Sequence, residues 1–166
     1  MKLKTKKLLK EIVIFAVMLF VISNVLSYLR SPELQSDTLP RIEARLIDGS
    51  TFRSKEMEGK PLVVHFWATW CPTCKAEAAN IEAISEEYEV VSIAVKSGPD
   101  EVLKRYMREK GYRFRVVNDA EGKWAEVFHI EAFPTTFIFD STGKLRFTEV
   151  GYTTTLGLKG RLGIVK

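Results

Sequence analysis

Leu62-Val63-Val64-His65-Phe66-Trp67-Ala68-Thr69-Trp70-Cys71-Pro72-Thr73-Cys74 carries a near-continuous apolar run into the only two cysteines of the chain. A run of that density predicts a central strand covered on both faces. The two thiols follow two residues apart, on a predicted turn from the strand into a helix. At that spacing they can close a small disulfide and reopen it. Cys71 falls where a helix has unpaired N–H groups and a dipole that favours an anion. Its pKa is therefore expected below the free-thiol value of about 8.5, making it a nucleophile near neutral pH.

Outward from this stretch, strands and helices alternate. Ile42 to Leu46 and Thr51 to Arg53 flank an Asp48-Gly49 turn and predict a hairpin, followed by one helical turn over Lys55 to Gly59. Cys74 to Tyr88 is expected to be helical, with Ala76, Ala79, Ala83, Ile84 and Tyr88 on its apolar side. Val90 to Val95 reads as a second buried strand, and Pro99 to Lys110 as a helix facing inward through Val102, Leu103, Tyr106 and Met107. Arg115 to Val117 is a short strand. Gly122 to His129 is a short helix carrying Trp124, Val127 and Phe128. Thr135 to Phe139 and Leu145 to Val150 flank a hairpin loop, and Gly157, Gly160 and Gly163 weaken the last helical segment. The alternation, closed by a hairpin, indicates one α/β domain with a mixed sheet.

Charge is divided unevenly. Residues 1–30 carry six basic residues against one acidic, whereas the other 136 hold 19 basic and 20 acidic. A nucleic-acid binder would show its excess on the folded domain, so that class is set aside. Ile12 to Leu29 is an eighteen-residue stretch without charge, long enough as a helix to span about 27 Å of bilayer. The lysines before it predict a cytoplasmic flank over residues 1–11, a transmembrane anchor over 12–29, a tether over 30–40 and an exported domain over 41–166. A cleaved signal peptide ending near Val25-Leu26-Ser27 is the competing reading. Either way the domain reaches an oxidising compartment, where a chain with no spare cysteine avoids wrong pairings.

Phe66 through Glu77 resembles the active-site segment of the membrane-anchored TlpA/ResA/CcmG group of bacterial thiol–disulfide oxidoreductases. Phe133-Pro134-Thr135, ahead of a strand and a hairpin, is similar to the cis-proline segment of the thioredoxin fold. Lys96 to Val117 resembles the helix-and-strand insertion of the group, and the likeness covers residues 38–166. It implies a thioredoxin-like α/β domain on a bacterial inner membrane, facing the periplasm. The run Val95 to Gly98, Val116 to Asp119 and Gly151-Tyr152-Thr153 is similar to ScsD-type proteins linked to copper tolerance. The cytochrome c maturation branch, which reduces apocytochrome thiols, is the alternative. Ala132-Phe133-Pro134-Thr135-Thr136 departs from its Gly-Ala-Pro-Glu context.

The resemblance also assigns roles. Cys71 is the exposed attacking thiolate and Cys74 the resolving thiol. Pro72 and Thr73 tune the pair. Glu77, three residues after Cys74 on the same side of the helix, either tunes the thiols or favours the first turns through the dipole. His65 stands where thioredoxins have a buried aspartate, and can relay a proton or sit neutral in its strand. A cis bond at Pro134 would expose the Phe133 backbone to an extended substrate, with Trp70 and Phe133 as an apolar wall and Trp67 in the core.

The expected partners are cysteine-containing proteins and a membrane thiol donor, with electrons flowing outward from the dithiol. No cofactor is expected beyond the redox-active Cys71–Cys74 pair. A zinc site wants four ligands, and the chain offers no third cysteine and only His65 and His129. A dithiol copper or client chaperone remains the second class of reading, though methionine- or histidine-rich surroundings are missing. A peroxidase would want a lone cysteine in a Thr-x-x-Cys setting, and Thr69 lies only two residues before Cys71.

Overall fold

The computed structural model describes residues 36–165, together with 9–15, 17, 18, 21, 22, 25 and 32. Within the predicted anchor, the described residues 12–15, 17, 18, 21, 22 and 25 are helical; the rest of that segment lies outside the described residues. No helix among the described residues is long and apolar enough to cross a membrane.

A five-stranded sheet organises the domain, in the order β5 (Arg115–Asp119), β4 (Glu89–Val95), β3 (Leu62–Trp67), β6 (Thr135–Phe139), β7 (Leu145–Val150). β3 pairs parallel with β4 and antiparallel with β6, so the sheet is mixed, as expected. All six residues of β3 are buried, which is why that stretch reads as unbroken hydrophobicity. Successive side chains still alternate between the faces. Val63 and Trp67 enter one core with Ile81, Ile84, Leu103, Leu158 and Leu162, while Leu62, Val64 and Phe66 enter the other with Phe128, Phe137 and Phe139.

Helices α1 (Pro72–Ser85), α2 (Asp100–Lys110) and α4 (Thr155–Ile164) contribute to the first core. The hairpin β1 (Glu43–Arg45) and β2 (Thr51–Arg53) and the end of α3 (Lys123–Val127) cover the second. That hairpin forms its own two-stranded sheet, docked on β5 by a bridge from Leu46 to Val117. Asp37 to Leu39 join the β6–β7 hairpin: the Leu145 N–H donates to Asp37 O at 2.6 Å and the Leu39 N–H to Gly143 O at 2.7 Å.

Two expectations are corrected, and a third, the last helix, holds. α1 begins at Pro72 and buries Cys74, Glu77, Ala78, Ile81 and Ile84, leaving Ala76 and Ala79 outside. A carboxylate on the inner face had disguised the helical period. α3 is shorter than predicted, and Val127 is exposed while Phe128, just past the helix, is fully buried. α4 forms despite three glycines because Leu158 and Leu162 pack into the core and the Thr154 hydroxyl caps the Gly157 N–H at 3.1 Å. Tertiary burial outweighs glycine's intrinsic cost there.

Candidate functional site

The chain leaves β3 through Ala68, Thr69 and Trp70 and enters α1 with Cys71 as the capping residue. Cys71 keeps an extended backbone, and its Sγ accepts the Cys74 N–H at 3.1 Å. Pro72 occupies the first helical turn, where its missing N–H costs no hydrogen bond. The first turn has no acidic side chain, so the positive end of the helix dipole is left to the cysteine. Cys71 and Cys74 are joined as a disulfide, with Cα atoms 5.3 Å apart. Their burial corrects the expectation of an exposed nucleophile: Cys71 is 5% accessible and Cys74 1%. The difference in depth has the expected sense, and the covering comes from the side chains around the pair.

Trp70 is 57% exposed. Its indole Nε1 donates to Lys96 O at 3.2 Å and its ring meets Phe133 edge-on, with centroids 5.5 Å apart at 85°. Lys96 supports this from a left-handed backbone, φ +45°, which side-chain-bearing residues seldom adopt. Sequence gave no signal for Lys96, because its contribution is a carbonyl. The Phe133–Pro134 bond is cis, as the resemblance implied. Between Trp70, Lys96, His129, Ile130, Glu131 and Phe133 lies an open groove of about 380 Å³. Pro72 and Thr73 are exposed beside the pair. Trp67 is core, its Nε1 bonded to Ser92 Oγ at 3.1 Å. A cavity of about 320 Å³ between Leu39, Met57, Leu62 and Thr142 lies at the other end of β3, away from the thiols.

Glu77 lies one turn after Cys74 and is fully buried. Its Oε1 accepts the Thr153 N–H at 3.0 Å, while Oε2 has no partner. Burial pushes its pKa up to about 8, against the lowering pull of the Thr153 N–H, and the negative charge of Glu149 adds to the rise. A carboxyl in the second turn, inside the core, is not there to serve the helix dipole. His65 is also buried, with Nδ1 2.9 Å from Thr136 Oγ1, and burial pushes its pKa down to about 3. It is a neutral strand histidine at any ordinary pH. In the sequence Thr136 and Thr153, the partners of these two groups, bear only on subgroup likeness and mark no role at the site. Among the described residues no three His, Cys, Asp or Glu side chains are grouped to hold a metal ion.

Comparison with known proteins agrees with this geometry. The AhpC/TSA family matches residues 36–148. A thioredoxin-like protein of Haemophilus influenzae is 33% identical over 162 residues, covering 96% of each chain. The thiol-disulfide oxidoreductase ResA of Oceanobacillus iheyensis is 31% identical over 121 residues, covering 70% of this chain and 62% of that protein. Among solved structures, the exposed lipoprotein thioredoxin of Streptococcus pneumoniae superposes with a TM-score of 0.68 at 25% identity, over 75% of this chain and 99% of that one.

Proposed function

The chain belongs to the AhpC/TSA family and is a thioredoxin-like thiol–disulfide oxidoreductase of the ResA, CcmG and DsbE type; on that premise we propose that it works outside the cytoplasm as a reductant of cysteine-containing proteins. The observation that carries this reading is the Cys71–Cys74 bridge at the start of α1, with the cis-proline loop and a buried carboxyl set against the same region.

In the reduced form, Cys71 attacks one sulfur of a client disulfide as its thiolate. The client S–S bond breaks, a bond to Cys71 Sγ forms, and the released client sulfur takes up a proton. Cys74 then gives up its proton and attacks Cys71 Sγ, expelling the second client thiolate, which is protonated in turn. The client gains two electrons and two protons, and the dithiol loses them. Glu77 is suited to exchange the Cys74 proton because an acid with a pKa of about 8 is poised near neutral pH. An extended client segment would run past Phe133 and Pro134, with Trp70 and Phe133 as its apolar wall and Pro72 and Thr73 at its edge. The two sulfurs hold the electrons, so the cycle calls for no bound cofactor.

The apolar run over 12–29 and the lysines ahead of it support a single-pass anchor in a bacterial inner membrane, with the domain in the periplasm and a membrane thiol donor restoring the dithiol. For the clients, we favour proteins of copper or oxidative stress tolerance over apocytochromes. Thr135 follows the cis-proline, is buried, and donates to Ala132 O at 2.9 Å, so no carboxylate stands at that position.

Replacing Cys74 by serine tests the reading. Mixed disulfides with clients should accumulate through Cys71 and disappear when Cys71 is also replaced; a dithiol metal chaperone would trap nothing and lose metal binding. In cells the native pair should be mostly reduced, and a mostly oxidised pair would overturn the direction proposed. A mature protein that begins after Ser27 would overturn the anchor.

A further inference from the structure

Residues 151–154, between β7 and α4, and Thr155 at the start of α4 touch three parts of the site. The Gly151 N–H donates to Pro134 O at 2.8 Å, behind the cis-proline loop. The Thr153 N–H donates to Glu77 Oε1 at 3.0 Å. Asn80 binds the same short strap: its Nδ2 donates to Thr153 O at 2.9 Å and to the Tyr152 hydroxyl at 3.2 Å, while its Oδ1 accepts from Thr155 Oγ1 at 2.9 Å. Thr153 O can only accept, so the NH2 of Asn80 must face it, and the amide orientation follows from chemistry. Thr153 is thus clamped at both of its backbone polar groups by side chains from successive turns of α1. Cys74, Glu77 and Asn80 are spaced three apart along that helix and form one stripe.

We infer that Asn80 is a positioning residue of the thiol chemistry: it holds residues 152–155 against α1, presents the Thr153 N–H to Glu77 and steadies the strap behind the cis-proline loop. The inference rests on Glu77 as the proton partner of Cys74. Among the described residues the Thr153 N–H is the one hydrogen-bond donor to that carboxyl. A donor of this kind favours the carboxylate, and losing it leaves a buried acid harder to ionise. The other titratable or charged groups on the elements packed here are Cys71, Cys74, Lys75, Glu82, Glu86 and Glu87 on or beside α1, His65 of β3, Glu149 of β7, Tyr152 of the strap, and Lys159 and Arg161 of α4. Lys159 is paired with Glu87, and Glu149 is the group whose charge bears on Glu77. Arg161 is paired with Glu149 and His65 is held neutral. Glu77 is therefore the group whose proton the strap can bias.

The test is the pH dependence of thiol alkylation in the reduced full-length protein, with Asn80→Ala, Glu77→Gln and the double variant beside the native chain. Asn80→Ala should move the Glu77-dependent inflection upward by about 0.5–1 pH unit. The same substitution on a Glu77→Gln background should move nothing, because the carboxyl it acts through is gone. An unmoved inflection in Asn80→Ala, or an equal shift in both backgrounds, overturns the inference. If Glu77→Gln leaves the native profile intact, the reading of Glu77 falls, and this inference with it. If Glu77→Gln abolishes the inflection and Asn80→Ala does nothing, only the role of Asn80 falls. Near-ultraviolet circular dichroism reports whether each variant folds. Should Asn80→Ala unfold, Thr155→Val, which removes only the hydroxyl on Asn80 Oδ1, must give a smaller shift of the same sign; no shift overturns the inference.

Discussion

The two faces of the central sheet bury different groups beside their hydrocarbon. On the face under α1 and α4 the core includes the disulfide, the buried carboxyl of Glu77 and the imidazole of His65. On the other face Phe66, Phe128, Phe137 and Phe139 pack on one another with Leu62, Val64, Val91 and Ile93, and the buried polar side chains there, Ser54, Asp119 and Thr135, are each tied to backbone groups. Burying an ionisable group costs stability unless it stays neutral. The aromatic face supplies apolar burial that offsets this cost. The comparison separates a layer that holds the domain together from a layer that does chemistry.

The largest expected effect breaks the first layer alone. Phe137→Ala removes a fully buried ring that meets Phe66 edge-on at 6.0 Å, and should cost about 3–5 kcal/mol in urea unfolding. Exchange by the folded fraction should stay near the native rate; a parallel loss of exchange would show that the layers are not separable.

Next comes Glu77→Gln, which acts on the second layer. Between pH 4.5 and about 8 the folded protein holds a Glu77 proton that the unfolded chain has released. Stability should therefore fall as pH rises through that window, with a slope approaching about 1.4 kcal/mol per pH unit. Glutamine has no proton to lose, so urea midpoints measured across the window should lose this descent. Retention of the full slope would mean that Glu77 is not the group responsible.

His65→Gln should have the smallest effect on chemistry. The folded protein keeps His65 neutral down to about pH 3, whereas the unfolded imidazole takes up its proton near 6.5. Stability should therefore fall as pH drops from 6.5 toward 3, and the substitution should remove that acid-side loss. From 4.5 to 6.5 the two groups oppose each other, which places the stability maximum of this pair there. The thiol alkylation profile of His65→Gln should match the native one, and a shifted profile would make His65 part of the proton path.

The strands were legible because each is either a dense apolar run, as in Leu62–Trp67, or lies beside a turn signal, as at Asp140 to Lys144. The inner face of α1 was not. A periodic reading looks for hydrocarbon, and Glu77 breaks the stripe at the position that matters most. α4 was obscured by glycines whose cost only the packing of Leu158 and Leu162 offsets. Cys71, Cys74, Trp70 and Pro134 could be placed on the site from their spacing and from resemblance. Lys96, Asn80 and Thr153 could not, since two act through backbone atoms and the third through an amide bonded to a distant loop.

The sequence by itself determined the dithiol, the strand that delivers it and the helix that it caps, because these are local: a buried strand, a turn and a first helical turn within thirteen residues. Tertiary structure alone decided how deep the thiols lie, that Glu77 is held near its titration point and that His65 is silenced. Those properties depend on how much water the surrounding chain removes and which backbone groups it returns. Desolvation is a property of the packed fold, and no short stretch of sequence carries it.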